Sequence, residues 1–180
     1  MKIYDMKVNH LTNPLGFRMT RTVFSWKVKE AAGKRQTQAR IRIASDQAMT
    51  DLLADTGWDA EADSLGYQVK SALDPVTRYY WTVSVQSDAG EEAVSEVQWF
   101  ETGKGQQPWV GKWITCDSTE KRHPYFEKEI SLAKEVKNAR LYICGLGLYE
   151  AYFNGERIGR EYLTPYSNDY NEWVQYQTYD

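Results

Sequence analysis

The sequence predicts an all-β chain of two small modules in series, and three observations predict it. Apolar and polar residues alternate with period 2 in segment after segment, and no strong 3.6-residue period appears. Turn-forming residues interrupt these segments at short intervals. A Gly-containing polar stretch, Gly103-Lys104-Gly105-Gln106-Gln107-Pro108, separates two runs of alternation.

In the first run, Phe24, Trp26 and Val28 alternate with Ser25 and Lys27, and Ala39, Ile41 and Ile43 alternate with Arg40 and Arg42. Each pattern predicts a strand with one face buried. The stretch from Asp46 to Leu53 fits a short helix or an irregular edge. Tyr79, Trp81, Val83 and Val85 predict a long central strand, and Asp88-Ala89-Gly90 a turn after it. Val97 and Trp99 belong to a last strand ending near Thr102-Gly103. Several short strands with turns between them make a sandwich. In the second run Phe126, Lys128, Ile130 and Leu132 predict a strand of mixed faces, followed by Ala139, Leu141 and Ile143. Gly145-Leu146-Gly147 breaks the run at a sheet corner. It lies between two strands with no helix after it, so it is no phosphate cradle. Tyr149, Ala151 and Phe153 lead into Asn154-Gly155, the strongest hairpin signal in the chain, because both residues tolerate positive φ. A final strand is expected over Val174, Tyr176 and Thr178-Tyr179-Asp180. The expected organisation is therefore a sandwich over 1–103, a linker over 104–108, and a second module over 109–180.

Composition narrows the function classes. The chain has 180 residues, 42% of them hydrophobic, enough for packed cores. A formal net charge of -3 gives no electrostatic reason to expect nucleic acid or an anionic membrane as partner. No run of about 18 apolar residues is present to span a bilayer. The N-terminus lacks the apolar stretch of a signal peptide, so a cytoplasmic location is expected unless a signal was removed. Cys116 and Cys144 form neither a disulfide framework nor a metal motif and are expected as free, partly buried thiols. There are 7 Trp and 13 Tyr against 5 Phe. Such polar-tipped aromatics suit β-cores and also surfaces that stack on flat ligands, and composition does not choose between the two.

The segment Leu73-Asp74-Pro75-Val76-Thr77-Arg78-Tyr79-Tyr80-Trp81-Thr82-Val83 resembles the fibronectin type III pattern entering its sixth strand. In that fold Leu73 would plug one end of the core, Pro75 would rigidify the turn, and Tyr79 would be the corner tyrosine that bonds back to the chain just upstream. Trp26 would share the core. The expected fold is thus a fibronectin type III/immunoglobulin-like sandwich. A fold of this kind says little about function.

The second run carries more. Gly145-Leu146-Gly147-Leu148-Tyr149-Glu150-Ala151-Tyr152-Phe153-Asn154-Gly155-Glu156-Arg157-Ile158-Gly159 resembles the N-terminal β-sandwich of bacterial α-L-rhamnosidases of glycoside hydrolase family 78. Leu163-Thr164-Pro165, Asp169-Tyr170 and Gln175-Tyr176-Gln177-Thr178-Tyr179-Asp180 follow in the order of that family. Upstream, Asn13-Pro14-Leu15-Gly16, Phe24-Ser25-Trp26, Tyr79-Tyr80-Trp81, Phe100-Glu101-Thr102-Gly103 and Lys112-Trp113-Ile114 do the same. Each block is weak alone; their ordered combination is specific. The resemblance implies the first part of a jelly-roll β-sandwich after the linker, and a downstream (α/α)6 barrel holding an inverting acid–base pair of carboxylates. Those residues belong to the barrel, so no catalytic residue is carried over to this chain. The implied partners are that downstream catalytic domain and, through the parent enzyme, a rhamnose-containing glycan. An incomplete jelly roll would leave strand edges such as 139–143 unpaired, and the expectation is a homo-oligomer through such edges.

Tyr149, Tyr152, Tyr162, Tyr166, Tyr170 and Trp173 are the candidates for a sugar-facing surface. Asn168, Asp169 and Asn171 are the polar side chains that would meet sugar hydroxyls. A core, or an interface with the catalytic domain, explains the same aromatics. Glu150 lacks a second carboxylate across a sugar-sized gap and is assigned a structural or surface role. His10 and His123 are far apart in sequence, which argues against a metal or a catalytic dyad. Asn168 and Asp169 give a weak calcium signal, two oxygen donors in one loop; no cofactor is otherwise expected. The competing functional classes are a free-standing carbohydrate-binding or adhesion module and a structural spacer.

Overall fold

The computed structural model describes residues 1–117 and 123–180. The chain forms two compact units, Met1–Gln106 and Gln107–Asp180.

The first unit is a two-sheet β-sandwich. One sheet has three strands in the order β1 (Lys2–Val8), β3 (Thr22–Lys29), β6 (Tyr67–Val69). The other has six: β2 (Leu15–Phe17), β9 (Gln98–Thr102), β7 (Arg78–Ser87), β4 (Gln36–Ala44) and β5 (Leu52–Asp55) in that order, with β8 (Glu92–Val94) also paired to β7. The alternating residues of β3, β4 and β7 supply the core: Phe24, Trp26, Ala39, Ile41, Ile43, Tyr79, Trp81, Val83 and Val85 are all buried. Phe24 of one sheet meets Trp81 of the other with ring centroids 4.6 Å apart. Burying each such large side chain stabilises by about 1.5–3 kcal/mol, so this interface dominates the unit's stability. The buried Trp26 indole donates to Gln36 Oε1 at 3.0 Å, and Gln36 Nε2 donates to the Ala62 carbonyl at 2.7 Å, so the polar tip of Trp26 is satisfied. The Asp74 amide donates to the Tyr79 hydroxyl at 2.8 Å. This is the upstream bond of a corner tyrosine, while Leu73 packs half-buried on the core.

Three sequence expectations are corrected or sharpened here. The Asp46 stretch is no helix. The Asp46 carboxylate accepts from the Thr50 and Asp51 amides at 2.9 and 2.8 Å, closing a loop that delivers the edge strand β5. The turn at Asp88-Ala89-Gly90 leads into β8, a strand the alternation is too short to reveal. In the last strand, expected to hold Val97 and Trp99, the core residue is Phe100. The ladder sets Phe100 opposite Tyr79 and Trp99 opposite Tyr80. Val97 precedes the strand and is exposed. The Trp99 ring is instead covered by the Arg78 guanidinium at 4.0 Å, a cation–π contact outside the core.

The second unit has four strands among the described residues, in two small sheets: β10 (Leu141–Cys144) with β13 (Tyr176–Tyr179), and β11 (Ala151–Phe153) with β12 (Glu156–Ile158), both antiparallel. Asn154 (φ 49°) and Gly155 (φ 84°) make the two-residue turn of the β11–β12 hairpin. Gly145 makes the corner after β10 for a steric reason, because a Cβ there would lie 2.6 Å from the Tyr149 ring. The strand expected over 126–132 is not formed. Phe126, Ile130 and Leu132 are exposed, and no described segment offers them a ladder partner. Ala139 and Val174 likewise fall outside β10 and β13. Among the described residues this unit buries only Thr164 and Pro165, which meet in a cis peptide.

Candidate functional site

The hairpin turn dictates the local geometry. With Asn154-Gly155 as the two-residue turn, Phe153 pairs with Glu156 and Tyr152 with Arg157. Cross-strand partners share a face, so Tyr152 and Arg157 project together. The Tyr152 hydroxyl donates to Glu150 Oε2 at 2.7 Å. The same carboxylate faces Arg157 Nε at 3.6 Å. The Arg157 guanidinium lies over the Tyr162 ring at 4.2 Å and donates to the Glu161 carbonyl. The result is a connected surface, Tyr152–Glu150–Arg157–Tyr162, with two phenol rings outward; Tyr162 is 73% and Tyr152 52% exposed. The hydrogen bond to Glu150 pushes the Tyr152 hydroxyl pKa up, so it remains a neutral donor. The arrangement offers a donor cation, an acceptor carboxylate and one open aromatic face, a combination suited to a neutral polyol with an apolar C–H side.

The remaining expected residues divide into three groups. Asn168, Asp169 and Trp173 share one loop that closes on itself. Asn168 Nδ2 donates to the Trp173 carbonyl at 3.0 Å, and Asp169 Oδ1 accepts from the Asn171 amide at 3.0 Å and from its side chain at 3.1 Å. The indole of Trp173 is 54% exposed. Tyr166 and Tyr170 are each exposed. Tyr149 turns inward, its ring against Gly145, and burial pushes its hydroxyl pKa far up. The structure therefore joins Tyr152 to Tyr162 and Asn168 to Trp173, and it separates Tyr149 from both. Arg157 was absent from the expected set. The signal for it was present, since the two-residue turn fixes the register that sets it across from Tyr152.

No three His, Cys, Asp or Glu side chains gather to hold a metal among the described residues. The thiols differ from expectation in one respect. Cys144 is half-buried and donates to the Gln175 carbonyl at 3.0 Å, and burial raises its pKa; Cys116 is exposed. No helix is long and apolar enough to cross a membrane among the described residues.

Comparison with known proteins bears on both units. Residues 3–106 match the family model for the Rha78A-like N-terminal immunoglobulin domain, and residues 134–180 match the α-L-rhamnosidase N-terminal domain. The chain belongs to the α-L-rhamnosidase family. An α-L-rhamnosidase of Formosa agariphila is 31% identical across 96% of this chain, which covers 22% of that relative. The solved α-L-rhamnosidase from Dictyoglumus thermophilum superposes over 100% of this chain and 23% of its own, with a TM-score of 0.85 at 32% identity. The Streptomyces avermitilis α-L-rhamnosidase, solved in complex with L-rhamnose, matches 63% of this chain and 12% of its own, with a TM-score of 0.58 at 31% identity. The chain thus spans about a fifth of the length of the curated relatives that match it end to end. The matches to the two N-terminal domains agree with the all-β architecture and with the immunoglobulin-like order of the first unit.

Proposed function

We propose that this chain is the non-catalytic N-terminal portion of an enzyme that hydrolyses terminal α-L-rhamnosyl residues, and that it braces a catalytic (α/α)6 barrel carried by downstream sequence. The observation that carries the reading is the tandem match: two modules in rhamnosidase order, together spanning about a fifth of the relatives. Support comes from the second unit, whose large apolar side chains lie exposed from Trp109 to Val174. A surface of that kind asks for a cover. The cover in this reading is the remainder of a jelly roll together with the catalytic domain. In this reading the outer edges of β10 and β13, to which no other described strand is paired, are open to a second copy, and a homo-oligomer is expected.

A second reading, a carbohydrate-binding module, is favoured by the Tyr152–Glu150–Arg157–Tyr162 surface. In it, Tyr152, Tyr162, Tyr166, Tyr170 and Trp173 are the sugar-facing rings, and Asn168 and Asp169 supply the polar contacts. The deciding test is hydrolysis of an aryl α-L-rhamnoside by the chain extended with its downstream sequence. Activity there, absent from the 180-residue chain, supports the first reading. An extended chain inactive on every α-L-rhamnoside removes it, and saturable L-rhamnose binding by the short chain then leaves the second.

A further inference from the structure

The first unit holds a crevice that the reading above does not use. The β3–β6 ladder ends at the pair Thr22↔Val69. Beyond it the two chain segments leave a cavity of about 540 Å3, lined by Met19–Thr22 on one side and Gln68–Leu73 on the other. That volume lies in the range of small-molecule sites, roughly 300–1,000 Å3. The floor is built from the core: Thr22 and Val69 are buried, and Met19 and Leu73 pack half-buried against it. The rim is polar and cationic. It carries the exposed Arg21 and Lys70 with Thr20 and Gln68, and no carboxylate lines the cavity. In a chain whose net charge is -3, two cations without a lining carboxylate are a local reversal of sign.

The main chain that carries Arg21 is held in place. Asn9, at φ 48°, clamps the approach to β3. Its Nδ2 donates to the Arg21 carbonyl at 2.8 Å, its Oδ1 accepts from the Val23 amide at 2.9 Å, and its own amide donates to the Val23 carbonyl at 2.8 Å. Across the crevice the Ser71 hydroxyl is shielded from solvent and has no hydrogen-bond partner among the described residues. Being shielded, that hydroxyl takes no part in the rim, whose solvent-facing groups are those of Thr20, Arg21, Gln68 and Lys70.

We infer that the crevice between Met19–Thr22 and Gln68–Leu73 binds a small oxyanion, a carboxylate or sulfate group, through Arg21 and Lys70. The guanidinium supplies the planar fork that matches such groups, and the ammonium adds a point charge. The exposed Thr20 and Gln68 are the hydroxyl and amide groups left for the rest of the guest. This site is independent of rhamnoside hydrolysis, so its failure and the failure of the proposed function are separate results.

The test is an amide NMR titration of the 180-residue chain at fixed ionic strength with D-glucuronate, inorganic sulfate and D-glucose. The expected result is saturable shifts confined to Met19–Thr22 and Gln68–Leu73 with an anion and none with glucose. In the double variant Arg21→Gln, Lys70→Gln the affinity should fall about tenfold or more, as loss of charged hydrogen bonds entails. Both side chains are exposed, so the fold is retained, and an unchanged spectrum outside the crevice verifies it. Shifts with glucuronate but not sulfate identify a sugar acid as the guest; shifts with sulfate identify the bare oxyanion. Absence of shifts with both anions, an equal response to glucose, or an unchanged affinity in the double variant overturns the site.

Discussion

The two units solve the same problem, hiding apolar side chains, in opposite ways. Met1–Gln106 closes on itself: the inward residues of one sheet meet those of the other, and Trp26, Trp81, Phe24 and Phe100 are nearly or fully inaccessible. Gln107–Asp180 has comparable aromatic material and leaves it outside; Val110 is 97% and Trp113 66% exposed. Period-2 alternation marks which face wants burial. It does not say whether the covering face belongs to the same stretch of chain.

The largest effect that sharpens this contrast is a truncation in each unit. Trp81→Ala should destabilise the first unit by about 3–5 kcal/mol, the cost of a large cavity in a closed core. Trp173→Ala, at an exposed indole, should change stability by less than about 0.5 kcal/mol. Urea denaturation followed by fluorescence and by amide NMR separates the two. A costly Trp173→Ala would mean that the second unit has a core of its own.

Next in size is Tyr79→Phe. It keeps the ring and removes only the acceptor of the Asp74 amide, with an expected loss of about 1 kcal/mol by the same denaturation curve. No loss would reduce the corner bond to decoration.

The first unit should also show its own pH dependence. The Arg40 guanidinium, hydrogen-bonded to Asp55, holds the Asp55 carboxyl down at about 2, against an ordinary value of 3.8. A depressed carboxyl contributes stability that is complete above its unfolded value and is lost as the pH falls towards the folded one. At the other end, Asp59 accepts from Tyr67 at 2.5 Å and pushes that hydroxyl up to about 12. Stability from this raised group is present below its unfolded value of 10.0 and is lost as the pH rises through about 12. Melting temperatures from pH 5 to 2 and from pH 9 to 12 should therefore fall at both ends, less steeply at the acid end in Asp55→Asn and at the alkaline end in Tyr67→Phe. Slopes unchanged by these substitutions would contradict the assignment.

A small effect is also expected at Arg157→Gln. The cation–π contact with Tyr162 and the bridge to Glu150 are solvated, so stability should change by less than about 1 kcal/mol. Ring-proton shifts of Tyr162 should nevertheless move towards those of a free tyrosine. If they stay put, the Tyr152–Glu150–Arg157–Tyr162 surface is not a connected unit.

The same contrast sets what the sequence could reveal. In the first unit, Phe24, Trp26, Ile41, Ile43 and Trp81 were legible because alternation and burial coincide where a sandwich closes. The Tyr79 corner was legible through the resemblance of the segment from Leu73 to Val83 to the fibronectin type III pattern. Phe100 did not stand out as the core residue of its strand, since the pairing with Tyr79 that decides the face is long-range. In the second unit the Asn154-Gly155 turn was legible, but the strand over 126–132 was not a strand. Alternation encodes a preference, and a ladder needs a neighbour to realise it. Within the candidate surface the aromatics stood out by composition. Arg157 emerges only when the hairpin register is followed outward from its turn.

The measurement that bears most directly on the difference between the units is residue-resolved amide hydrogen exchange on the 180-residue chain. Amides of β3, β4 and β7 should be protected to the level of global unfolding, while those of β10 and β13 exchange through low-energy local opening. Equal protection in both sets would contradict the contrast between a closed first unit and an open second one.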